Sequence, residues 1–88
     1  AREAVSRREQ ADTIDTLAAA QVENRRYDEA VAQYLRAMRL GGADVVKAYQ
    51  QDLRAKGCYH GDSEGSLTLE LRRALTVCVH EGRKLGAD

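Results

Sequence analysis

Leu53-Arg54-Ala55-Lys56-Gly57-Cys58-Tyr59-His60-Gly61-Asp62-Ser63-Glu64-Gly65 places three glycines within nine residues, Gly57 to Gly65, between two segments of helical pattern. Glycine serves where a backbone needs positive φ or a close approach. Three of them around Cys58, Tyr59 and His60 therefore predict a tight loop of fixed shape that presents polar side chains. A flexible linker would be richer in serine.

Outward from this loop the chain reads as helix on both sides. Proline, Phe and Trp are absent, the aromatics are four tyrosines, and Ala, Leu, Arg and Glu abound, so an all-α fold is expected. The first helix is predicted over Ser6 to Glu23, with Ser6 and Glu9 at capping-box spacing and Ile14, Leu17, Ala18 and Val22 on one face. Asn24-Arg25-Arg26 breaks that pattern. A second helix from about Asp28 to Leu40 puts Val31, Tyr34, Leu35 and Met38 on one stripe, with Asp28 at its positive end and Gly41-Gly42 closing it. The third starts from Asp44 as N-cap, buries Val46, Tyr49 and Leu53, and is terminated by Gly57. A fourth begins near Ser66 or Thr68, buries Leu71, Ala74, Leu75 and Cys78, and stops at Gly82, with frayed residues beyond.

Eighty-eight residues make at most one small domain or one and a half, with a core worth only a few kcal/mol of net stability. Fourteen basic and fourteen acidic side chains cancel, which argues against nucleic acid or a polybasic membrane contact. The pairs Arg7-Arg8, Arg25-Arg26 and Arg72-Arg73 are interleaved with acids and read as solvated helix faces. No apolar run approaches the ~20 residues of a membrane span. Ala1-Arg2-Glu3-Ala4 does not read as a signal peptide, so any targeting segment is expected outside these residues.

Residues ~10–43 resemble a single tetratricopeptide-type repeat, of the Sel1-like kind. Leu17 and Ala18 match the Leu-small pair of its first helix, Tyr27-Asp28-Glu29-Ala30 its turn, and Tyr34 and Ala37 the aromatic and small positions of its second helix. Gly42 stands where a proline is usual and Gln21 where an aromatic is. One repeat cannot bury both its faces, so it is expected to pack on the second half of the chain.

Residues ~44–82 resemble the small peptidoglycan-binding domain of bacterial cell-wall proteins. Its pattern runs Val-x-x-Leu-Gln-x-x-Leu, then Gly-Tyr-Tyr-x-Gly, then Asp-Gly, then Ala-Leu-x-x-Phe. Here the positions are Val46, Tyr49-Gln50 and Leu53, then Gly57-Cys58-Tyr59-His60-Gly61, then Glu64-Gly65, then Ala74-Leu75 and Cys78, without a gap. Lys56, Glu64, Leu71 and Cys78 replace the usual Leu, Asp, Thr and Phe.

Together the resemblances imply a helical hairpin (residues 1–43) packed on a three-helix peptidoglycan-binding-like domain (residues 44–88). The function implied is a non-catalytic cell-wall module that localises a larger envelope protein. Gln50, Tyr59, His60, Asp62 and Ser63 would contact a glycan or stem peptide, offering donors, acceptors and one aromatic face. The alternative implied is a helical scaffold whose hairpin holds a protein partner. In the family pattern the positions of Cys58 and Cys78 point into one core, so a disulfide is expected. Closing a loop of ~20 residues, it would contribute on the order of 3 kcal/mol. Such a bond implies an oxidising compartment, periplasmic or at the cell envelope.

Two other chemistries carry less. Cys58-x-His60 and Cys78-x-His80 invite a zinc reading, but Cys78 and His80 on a helix point roughly 200° apart and cannot share one ion. Asp62 and Glu64 form a carboxylate pair only in sequence, since acids in a glycine-rich loop serve mostly as turn acceptors. No nucleophile, base and orienting group come together by pattern. Neither an enzyme, nor a cofactor, nor a metal is expected.

Overall fold

A computed structural model describes residues 2–85, their side chains from Glu9 onward. Four helices follow one another: α1 (Arg2–Glu23), α2 (Tyr27–Gly41), α3 (Ala43–Ala55) and α4 (Leu69–His80), with no strand among the described residues. The all-α expectation holds. Residues 44–85 supply two helices and a long loop rather than three helices. Between Lys56 and Thr68 the glycines interrupt any apolar period, and no helical face can form.

α1 begins at Arg2, ahead of the predicted start, so Ser6 lies inside the helix and is no N-cap; its side chain is outside the described ones. Ala11, Ile14, Ala18 and Val22 bury a narrow stripe against α2. Leu17 is 48% exposed, against the prediction. It sits about 100° round the helix from Ala18, beyond the edge that α2 covers. α1 turns into α2 through a Schellman closure: Arg26 N–H donates to Gln21 O at 2.8 Å and Arg25 N–H to Val22 O at 3.0 Å. The left-handed residue in that closure is Arg25, φ 61°, where glycine is usual.

α2 and α3 are joined by Gly42 alone, with φ 78° and ψ −163°, a region essentially closed to residues with a Cβ. Its carbonyl accepts from Val45 and Val46 N–H, which makes Gly42 the N-cap of α3. Asp44, predicted to cap, instead falls in the first turn, where its charge suits the helix dipole. At the other end of α3, Cys58 N–H donates to Leu53 O and Gly57 N–H to Arg54 O, a second Schellman closure. α4 has a side-chain cap: Thr68 Oγ1 accepts from Leu71 N–H at 3.2 Å.

One cluster of buried residues runs through all four helices, including Ala18, Tyr34, Met38, Val46, Tyr49, Leu53, Leu71, Leu75 and Cys78. α2 is central to it, packing on α1, α3 and α4. The segment after α4 is anchored rather than frayed as far as Leu85, which is 2% exposed. Tyr34 Oη donates to Leu85 O at 3.1 Å and accepts from Leu85 N–H at 2.9 Å. Residues 86–88, also predicted to fray, lie outside the described ones. His80 adds a further tie to the hairpin, bonded to Asp28 at 3.1 Å and tilted against the Tyr27 ring. No described helix is long and apolar enough to cross a membrane.

Candidate functional site

The loop between α3 and α4 is braced from beneath by Gln50, 0% exposed and the one buried amide or charged side chain among the described residues. Gln50 occupies α3 between Val46 and Leu53, on the same inward stripe as Tyr49. Burying an amide is costly unless every polar atom is paired, and here each is. Its Oε1 accepts from Gly65 N–H at 2.8 Å, and its Nε2 donates to Ser66 O at 3.1 Å and reaches Tyr59 Oη at 3.5 Å. Tyr59, 3% exposed, packs under the loop beside Gly61 and donates from its hydroxyl to Asp62 O at 3.0 Å.

The predicted rigidity of the loop has a specific basis. Gly65 has φ 88°, and a Cβ there would fall 2.9 Å from Ala43 O, so the loop's end presses directly on the start of α3. At Gly61 a Cβ would meet the Tyr59 ring. Cys58 at the loop's beginning is joined to Cys78 of α4 by a disulfide, with Cα atoms 5.8 Å apart. Arg83 donates to Lys56 O at 2.5 Å, closing the same end.

The five predicted contact residues thus separate into two layers. Gln50 and Tyr59 form the floor, their polar atoms engaged within the fold. His60 and Asp62 are exposed on the loop's outer side. Ser63 is half-buried, and its Oγ is enclosed without a hydrogen-bond partner. Sequence reasoning placed all five on one loop and its neighbouring helix, but did not divide floor from face. The i, i+3, i+4, i+7 series Val46, Tyr49, Gln50, Leu53 was the signal that Gln50 points inward.

Two features of the structure had no expectation from sequence. A groove of about 810 Å³ opens between α1 and α2, with Ile14 and Leu40 at its base, Glu9 and Thr13 on one wall and Arg36 and Arg39 on the other. Deeper in the core, Tyr49 donates a hydrogen bond to Asp15 and meets the Tyr34 ring edge-on at 5.7 Å. Burial pushes the Tyr34 phenol up to about 12. Burial, and then the bond to the Asp15 carboxylate, raise that of Tyr49 further.

No known protein family, curated protein or solved structure matches this chain.

Proposed function

We propose that this chain is a non-catalytic module that binds peptidoglycan and localises a larger envelope protein in the periplasm or at the cell envelope. The observation that carries the reading is the loop held in one shape by Gln50, with His60 and Asp62 exposed on it. A recognition surface whose backbone is already ordered loses little conformational entropy on binding, which favours a dedicated binding loop over a plain connector. Imidazole and carboxylate groups suit the amides, hydroxyls and charged ends of a glycan with peptide stems. The pattern shared with peptidoglycan-binding domains points to that ligand class, and the Cys58–Cys78 disulfide supports an oxidising compartment.

Sedimentation with purified cell-wall sacculi tests it. The chain is expected to pellet with sacculi, and a His60→Ala/Asp62→Ala variant to stay in the supernatant at unchanged melting temperature, because exposed loop side chains contribute little to stability. Failure of the unmodified chain to sediment rejects the reading.

The groove between α1 and α2 favours a second reading, a protein partner held by the hairpin. Its walls are of opposite charge over an apolar base, an arrangement that suits a peptide segment more than a glycan. That reading takes over if sacculi are ignored and a partner is captured in a manner abolished by Arg36→Ala/Arg39→Ala.

A further inference from the structure

We propose that reduction of the Cys58–Cys78 bond converts this end of the fold into a zinc site built from Cys58 Sγ, Cys78 Sγ and the Glu81 carboxylate. The three ligand atoms already lie within 4.8 Å of one another. A tetrahedral zinc centre with Zn–S near 2.3 Å and Zn–O near 2.1 Å has ligand–ligand edges of about 3.5–3.8 Å. Once the bond opens, small side-chain rotations bring the set to those edges with no movement of helices. Cys78 and Glu81 are three residues apart at the end of α4 and share a face. Cys58 approaches them from the loop. Cys78 is buried, Cys58 half-buried and Glu81 exposed, so the site has a closed side formed by the core and an open side where water completes the coordination.

Two observations make the position of Glu81 more than incidental. Its Oε1 lies 3.8 Å from Cys58 Sγ, a sulfur that carries no proton while the disulfide is intact. The carboxylate is therefore aimed at an atom that cannot donate to it. Arg83 reaches both ligands from behind, with Nε 3.9 Å from Glu81 Oε1 and a terminal nitrogen 3.9 Å from Cys58 Sγ. Zinc with two thiolates and one carboxylate bears one net negative charge, which this guanidinium offsets while it orients the ligands. Neither histidine belongs to the set. Both His80 nitrogens face other acceptors, Thr76 O and Asp28.

The chemistry balances with a dithiol as reductant. It delivers two electrons and two protons, breaks the S–S bond to leave two thiols, and is itself oxidised to a disulfide. Zinc then displaces both thiol protons to solvent. Soft thiolates select zinc over calcium or magnesium. The inference uses none of the loop residues of the cell-wall reading, and it applies where a dithiol reaches the bond.

The test uses the whole chain, reduced with a phosphine, desalted under nitrogen and titrated with cobalt(II) as a spectroscopic stand-in for zinc. Expected are a near-ultraviolet thiolate-to-cobalt band and visible bands of a tetrahedral centre, saturating at one metal per chain and bleached by zinc. Zinc should also raise the melting temperature of the reduced chain, since only the folded state brings the three ligands together. Glu81→Gln should weaken cobalt binding by roughly tenfold or more, and Arg83→Ala by roughly tenfold. Absence of the charge-transfer band overturns the proposal. So do equal affinity in Glu81→Gln, binding that leaves or lowers the melting temperature, and the same band in oxidised protein.

Discussion

Replacing Gln50 with Leu isolates what the buried amide does, because the two side chains are close in volume and the packing around α3 is kept. The variant strips Gly65 N–H of its acceptor and Ser66 O of its donor. Ser66 is exposed and its carbonyl can turn to water; Gly65 is half-buried beneath the loop, and its N–H is left unpaired. An orphaned buried donor costs about 1–3 kcal/mol, and the hydrogen bond lost at Ser66 adds about 1 kcal/mol. Burying Leu in place of an amide returns about 1 kcal/mol, so the net loss is about 1–3 kcal/mol. At about 4–8 °C per kcal/mol for a domain of this size, melting falls by roughly 5–20 °C.

Gln50→Glu separates hydrogen bonding from packing. One carboxylate oxygen still accepts from Gly65 N–H, while the other faces Ser66 O, to which only a protonated acid can donate. Burial raises the folded-state pKa of this carboxyl above its unfolded value of about 4.3. The folded chain therefore keeps its proton to higher pH than the unfolded one. The variant should approach the unmodified protein below about pH 4.3 and lose stability as pH rises through the folded pKa. Circular-dichroism melting over pH, with amide exchange read at Gly65, measures both effects. A Gln50→Leu variant with unchanged melting and a still-protected Gly65 amide refutes the bracing argument.

Arg25→Gly should raise stability by up to about 1 kcal/mol in thermal melts, because it removes the left-handed penalty at φ 61° in excess of glycine's own entropy cost; a lower melting temperature contradicts it. Alkaline pH should destabilise the fold through the phenols of Tyr34 and Tyr49. With the Tyr34 pKa raised from 10.0 to about 12 and that of Tyr49 higher, their contribution is intact below pH 10.0 and lost as pH climbs through about 12. Tyrosinate absorbance should show Tyr34 and Tyr49 ionising only with unfolding, and Tyr34→Phe and Tyr49→Phe should assign them. Their ionisation in a chain still folded by circular dichroism would contradict the burial argument.

The helices were legible in the sequence because their signals are local. Apolar spacing of three and four residues marked the buried faces of α2, α3 and α4, and Gly41-Gly42, Gly57 and Gly82 marked helix ends through backbone geometry that needs no distant partner. The loop's fixed shape was legible for the same reason, from three glycines. Asn24-Arg25-Arg26 was legible as the break between the first two helices. That Arg25 takes the glycine conformation within it was not, because arginine has no preference for positive φ.

Tertiary packing alone decided what each exposed or buried residue contributes. Leu17 is apolar on a helix, yet only the position of α2 leaves it in solvent. Gln50 and Tyr59 carry the polar groups of ligand contacts, and only the path of the loop across α3 closes hydrogen bonds onto them. Leu85 follows a helix-ending glycine and reads as a loose end until the Tyr34 hydroxyl captures its backbone across 51 positions of sequence. Glu81 and Arg83 look like an ordinary polar helix terminus until the loop brings Cys58 to them. Local periodicity and backbone preference are written residue by residue, whereas burial and pairing depend on which distant segment arrives, and that is determined only when the whole core closes.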